Sequence, residues 1–206
     1  MTEIEEQLRG AVKRLRLREA GAPPGIAEAA AAAGLLDIAY ATHDSPVGRL
    51  VLAATPAGLA RIAYVDDGAG EEQVLAQLAA RVSPRVLAAP RRLDPARREL
   101  DEYFAGRRRA FELGLDLRLM TAFARRVLIA TDAIPYGSVA SYGEVAAAAG
   151  SPRAFRAAGN ALGSNPLPIV LPCHRVVHTG GGLGGYTGGL ERKLTLLGIE
   201  RGEPRP

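Results

Sequence analysis

The chain has 206 residues, 48% hydrophobic and 23% charged, enough apolar content to bury the core of one large domain or two small ones. A single cysteine excludes an internal disulfide and a cysteine-based zinc site, no apolar run reaches the ~20 residues of a membrane-spanning helix, and the acidic start at Glu3, Glu5 and Glu6 argues against a secretory leader. A cytoplasmic chain without membrane contact is expected, with its net charge of +4 unevenly placed: residues 1–117 carry 16 basic and 17 acidic side chains, residues 118–206 carry 10 and 5, so the second part suits a polyanion.

Residues 1–36 read as a helical extension. Ile4, Leu8, Val12 and Leu15 recur at helical spacing, Gly21-Ala22-Pro23-Pro24-Gly25 breaks the pattern, and the alanine-rich residues 26–36 predict a second short helix. Residues 37–117 form the next unit. Residues 38–42, 49–54 and 59–65 are strand-like and are separated by Pro/Gly turns, which predicts a three-stranded antiparallel meander. Helices are predicted over 71–80 and 95–104, and a last weak strand over 111–117. His43, beside Asp44 at the first turn, reads as solvated.

Residues 118–206 read as a helix-turn-helix domain. Residues 120–131 predict an amphipathic helix with Phe123, Val127, Leu128 and Ile129 apolar. Ser141-Tyr142-Gly143-Glu144 is a capping box that opens a helix over 142–149, and Gly150 ends it. Ser151 and Pro152 predict the N-cap and first position of the next helix, 152–162. Helix, short turn, helix in a basic unit is a DNA-binding pattern. The second helix carries Arg153 and Arg156 and then small residues, Ala157-Ala158-Gly159-Asn160-Ala161. Two readings stand: a backbone that approaches a DNA groove closely with Arg156 projecting, or a tightly packed internal helix with solvated arginines. The turn and the net charge favour the first.

The stretch from Pro166 to Val177 holds the only cysteine, Cys173, between Pro172 and His174 and after an apolar run, Ile169 to Leu171. A lone thiol beside an imidazole is a candidate nucleophile, although a lone cysteine by itself fits an inert core residue better. The neighbours decide. Pro172-Cys173-His174-Arg175-Val176 resembles the active-site signature of the O6-alkylguanine-DNA alkyltransferase (methylated-DNA–protein-cysteine methyltransferase) family. Pro135-Tyr136-Gly137, Ser141-Tyr142, Ser151-Pro152-Arg153-Ala154-Phe155-Arg156-Ala157, Asn165-Pro166-Leu167-Pro168-Ile169 and Gly185-Tyr186-Thr187-Gly188-Gly189-Leu190 follow in the family's order and spacing. The motif match covers residues 120–200; the N-terminal half is similar only in its pattern.

The resemblance implies an α/β (α+β) protein, with a ribonuclease-H-like N-terminal domain over 37–117 and a winged-helix-like catalytic domain over 118–206. It implies minor-groove docking on double-stranded DNA containing O6-alkylguanine, extrusion of the damaged nucleotide, and displacement of guanine by the Cys173 thiolate. An adjacent residue in an extended segment points away from its neighbour. In the family a water therefore bridges the thiol and His174, and Glu200 takes the place of the glutamate that orients the imidazole. Tyr142 would donate to guanine N3 or crowd the 3′ phosphate, and Arg156 resembles the arginine finger that fills the vacated stack. Residues 184–189 would form a lid, with Tyr186 stacking on the base and the Thr187 amide facing O6. The threonine methyl would narrow the pocket relative to the serine of many relatives. Asn165 would brace the turn between recognition helix and active-site strand. The carbonyls of Cys173 and Val176 would accept the exocyclic amine, and Pro168 would line the pocket. Ser151, Arg153, Ala157, Gly159 and Gly188, within the matched motifs, are assigned to the DNA and substrate side.

The thioether product resists hydrolysis, so the protein is expected to act once, without a cofactor, as a monomer in solution; cooperative assembly on DNA and reaction with O4-methylthymine stay open. Some relatives bind zinc in the N-terminal domain, but that region here has one histidine and no cysteine, so no metal site is expected. Three rivals remain: a lesion-binding relative without the cysteine, which Cys173 argues against; a cysteine hydrolase; and a helix-turn-helix regulator with an incidental thiol.

Overall fold

Short runs rich in Ile, Leu, Val and Ala make the three predicted strands, and the computed structural model, which describes residues 25–66 and 68–203, pairs them as two tight hairpins. β1 (Ile38–Ser45), β2 (Gly48–Thr55) and β3 (Gly58–Tyr64) run antiparallel, with Thr42 opposite Val51 and Leu52 opposite Ile62. Gly58, at φ +135, closes the second hairpin, where a Cβ would lie 2.3 Å from the carbonyl oxygen of Gly114. The predicted helix spanning residues 4–15 lies outside the described residues. Helix α1 (Ile26–Ala32) is shorter than the predicted 26–36.

A fourth strand, β4 (Val86–Ala88), adds in parallel to β1 and gives the order β3-β2-β1-β4. Three residues are too few for a sequence pattern to reveal. The weak strand predicted over 111–117 reduces to a single bridge between Leu59 and Leu115. Helix α2 (Gly68–Arg81) covers one face of the sheet, where Val74 and Leu78 meet Ile38, Val51, Ala53 and Ala63. The other face, with Leu50, Leu52 and Ile62, shares a larger core with α3 (Asp94–Phe104) and with the C-terminal half. Each fully buried leucine or isoleucine there contributes about 1.5–3 kcal/mol. His43 is not solvated. It lies inside β1, 7% exposed, with Nε2 3.3 Å from Asp101 on α3. Burial lowers its pKa, against the opposing pull of Asp101.

In the C-terminal half α4 (Ala122–Asp132) starts at the N-cap Thr121, whose hydroxyl accepts from the Ala124 amide. Val127 and Leu128 are buried but Ile129 is 55% exposed. Consecutive helical residues are spread about 100° apart, so three in a row do not share one stripe. Helix α5 (Tyr142–Ala148) carries the predicted capping box: Ser141 accepts from the Glu144 amide, and Glu144 accepts from the Ser141 amide at 2.7 Å. Helix α6 (Phe155–Gly163) begins three residues later than predicted. Ser151 does not cap it. Residues 151–154 instead form a turn closed by the Ala154 amide on the Ser151 carbonyl at 2.9 Å. Serine followed by proline fits the first two positions of a β-turn as well as a helix start, and the turn prevails. β5 (Ala140–Ser141) pairs in parallel with β6 (Val176–Val177), and α7 (Leu190–Arg201) closes the chain's described part. Among the described residues no helix is long and apolar enough to cross a membrane.

Candidate active site

Cys173 begins a single 3-10 turn, Cys173–Arg175, rather than a strand. The approach to it is tight. Ile169 holds φ +76, a conformation that costs a β-branched residue about 1–3 kcal/mol. Asn165 braces this loop from its start. Its Oδ1 accepts from the Leu167 amide at 2.9 Å, and its Nδ2 donates to the Leu171 carbonyl at 2.8 Å and to Cys173 Sγ at 3.2 Å. The thiol is 4% exposed. Burial pushes its pKa up to about 11, against the Asn165 donor and the nearby Lys193 charge.

His174 is fully buried, and its Nε2 lies 2.8 Å from Glu200 Oε1. Glu200 is held by more than this histidine. Arg175 donates to both of its oxygens, Tyr103 Oη donates to Oε1 at 2.8 Å, and the Gly137 amide donates to Oε2 at 3.0 Å. The backbone at Gly137 passes so close that a Cβ would lie 3.1 Å from the Glu200 carbonyl. Burial alone would raise the carboxyl, but the His174 and Arg175 hydrogen bonds outweigh it and bring Glu200 down to about 2. Glu200 is therefore an acceptor, and the proton between the two side chains sits on Nε2. That leaves Nδ1 as the free lone pair of a neutral imidazole, and Nδ1 is buried without a hydrogen-bond partner among the described residues. Burial also lowers the His174 pKa, partly offset by Glu200.

The sulfur opens onto a cavity of about 690 Å³, within the ~300–1,000 Å³ range of small-molecule sites. α6 supplies Phe155, Arg156, Gly159, Leu162 and Gly163; Tyr142 and His178 line another side; Gly185, Tyr186 and Thr187 cover it. The Thr187 hydroxyl donates to the Gly163 carbonyl at 2.7 Å, which ties the glycine-rich loop to the end of α6. Tyr142 packs against the His178 ring at 5.1 Å, and burial raises its pKa, so its hydroxyl keeps its proton. The Arg156 guanidinium lies 5.3 Å over the Phe155 ring, and both side chains are exposed.

The structure brings Cys173, Tyr142, Arg156, Gly159, Tyr186 and Thr187 around one cavity, with Asn165, His174 and Glu200 behind the sulfur. Pro168 is buried and does not line that cavity. The turn holding it, residues 166–169, is buried throughout. The Val176 carbonyl already accepts from Lys193 Nζ at 2.6 Å, and the Cys173 carbonyl accepts from the Val176 amide. Gly188 lies beside Tyr64 rather than in the cavity wall, and Ser151, Arg153 and Ala157 lie on the outer side, around the start of α6. Sequence reasoning missed Tyr103, Arg175 and Lys193. Lys193 is fully buried with its ammonium on the Val176, Leu183 and Gly185 carbonyls. In the sequence Lys193 stands three and four positions before Leu196 and Leu197, on the helix face those leucines bury, and that placement was the signal available for it. Among the described residues no group of three or more His, Cys, Asp or Glu is arranged to hold a metal ion.

Comparison with known proteins gives this geometry a lineage. The ribonuclease-like domain of 6-O-methylguanine DNA methyltransferase matches residues 38–117, and the DNA-binding domain of the same family matches residues 122–202. A methylated-DNA–protein-cysteine methyltransferase of Mycolicibacterium paratuberculosis is 44% identical over 164 residues, covering 80% of this chain and 93% of that protein. The constitutive enzyme of Bacillus subtilis is 38% identical over 79% of this chain and 94% of its own. A Mycobacterium tuberculosis relative crystallised in complex with DNA superposes with a TM-score of 0.69 at 39% identity, over 81% of this chain and 95% of that one. With both domain types matched in order and the cysteine in place, the chain belongs to the 6-O-methylguanine DNA methyltransferase family.

Proposed function

We propose that this protein repairs DNA by taking the alkyl group of O6-alkylguanine onto Cys173 Sγ, once per molecule, after docking α6 in the minor groove and drawing the damaged nucleotide into the cavity. The observation that carries the reading is the position of one buried thiol. It faces a cavity under the exposed helix α6 and is backed by an amide donor and a His–Glu pair.

The thiol is protonated at neutral pH, so its proton must leave as the carbon arrives. His174 Nδ1 is the available base, reached through a bridging water, and Glu200 stabilises the imidazolium that forms. The S–C bond forms as the C–O6 bond breaks, and the bonding pair leaves on guanine. The Tyr142 hydroxyl donates toward the base as this charge develops. The proton lost by sulfur balances the proton that guanine finally gains. The Lys193 ammonium stabilises negative charge on sulfur along the way. Arg156 enters the stack where the nucleotide has left, and its planar guanidinium pairs with the orphaned base.

The reading is tested by titrating duplex DNA containing O6-methylguanine with the protein. Repaired guanine should plateau at one per protein. Cys173→Ser should bind the lesion duplex and repair none. Repeated turnover, or loss of lesion binding together with transfer, contradicts the proposal.

A further inference from the structure

We infer that Tyr64, on β3 of the N-terminal half, is a specificity-determining positioning residue: with Arg192 it fixes Tyr186 and so sets the width of the alkyl group that reaches Cys173. The inference rests on the reading of residues 184–189 as a lid over the base.

The Tyr64 hydroxyl lies 2.6 Å from the Tyr186 hydroxyl, and the two rings meet edge to face at 6.1 Å. Tyr186 lines the cavity with Cys173, so the wall facing the alkyl group is tied to the N-terminal sheet. The next turn of the lid rests on the same ring. A Cβ on Gly188 would come within 2.6 Å of Tyr64, so the lid passes there only because residue 188 has no side chain. Arg192 completes the latch. Its guanidinium lies 4.8 Å over the Tyr64 ring, donates to the Val47 carbonyl at 2.7 Å and to the Gly188 carbonyl at 3.0 Å, and pairs with Asp66. One side chain thereby joins the β1–β2 turn, the end of β3 and the lid.

Burial raises the pKa of both tyrosines, so both hydroxyls stay protonated and the pair persists across the working pH range. Swinging Tyr186 outward to admit a wider group separates the two hydroxyls and leaves that of Tyr64 half-buried. The latch favours small adducts at a cost to large ones, from a residue that does not line the cavity.

Tyr64→Phe deletes only the hydroxyl. The rate of transfer from benzyl relative to methyl adducts should rise about fivefold, the factor that corresponds to the net free energy of one ordinary hydrogen bond. Tyr186→Phe deletes the other half of the pair and should raise the ratio alike, and the double variant should add nothing further. Arg192→Lys keeps the charge but loses the fork to Val47 and Gly188, and should raise the ratio as well if Tyr64→Phe does not fold. A merely structural role would slow both substrates by one factor and leave the ratio unmoved, which overturns the inference. Tyr186→Ala separates the two claims. A ratio changed by Tyr186→Ala but not by Tyr64→Phe or Arg192→Lys refutes the latch and keeps the lid; a ratio changed by none of them refutes both.

Discussion

The Tyr103 hydroxyl donates to Glu200 Oε1 across 2.8 Å and so brings α3 of the N-terminal half into contact with the His–Glu pair of the C-terminal half. Tyr103 is fully buried among Phe104, Phe111 and Tyr136, and burial next to the Glu200 carboxylate holds its pKa well above the ordinary value. Tyr103→Phe keeps the ring and removes the donor. Thermal or denaturant unfolding should show a loss of about 1–2 kcal/mol. With one donor fewer, Glu200 holds the imidazolium more strongly, so the acid limb of the transfer rate should move to higher pH. Unchanged stability and an unchanged acid limb would place this contact outside the relay.

The pH dependence of transfer separates base-assisted attack from attack by a pre-formed thiolate. The thiol is pushed up to about 11, and burial lowers the His174 pKa. The rate should therefore be flat from about pH 6.5, the ordinary imidazole value, to near 9, and fall only at lower pH as Nδ1 takes up a proton. A rate rising about tenfold per pH unit through this range would mean thiolate attack without the histidine. Stability should also fall in acid. For both His43 and His174 the folded pKa lies below the unfolded value, so their contribution is full above about 6.5 and is lost as pH falls and the unfolded chain binds the protons first.

Arg156 tests the extrusion step. Exposed at the start of α6, it is free to enter the duplex, and a free alkylated base needs no such help. Arg156→Ala should slow transfer from duplex DNA about tenfold or more, since extrusion costs a few kcal/mol, with the free-base reaction nearly unchanged. Equal losses on both substrates would contradict the role.

What could be read without the structure follows the range of each interaction. The three hairpin strands and the Ser141–Glu144 capping box are local, and the sequence pattern gives them closely. Ser151-Pro152 suits both a helix start and a β-turn, so the dipeptide alone does not reveal the turn that forms. Cys173, His174 and Glu200 were found through motif resemblance, which carries long-range information that spacing does not. Tyr103 sits 97 positions from Glu200, and Tyr64 sits 122 positions from Tyr186. No periodicity links such pairs. His43 shows the same limit from the other side: its neighbours suggest a turn, but β1 runs on to Ser45, three residues past the expected end, and puts it in the core.

On the proposed reading the Cys173 sulfur becomes the permanent home of the alkyl group. Intact-protein mass measurement after incubation with excess O6-methylguanine duplex tests it most directly, followed by peptide mapping. The expected result is a gain of one CH2 unit per protein, located on Cys173 and stable to prolonged incubation. An unchanged mass with the lesion repaired, or a methyl group on another side chain, would contradict it.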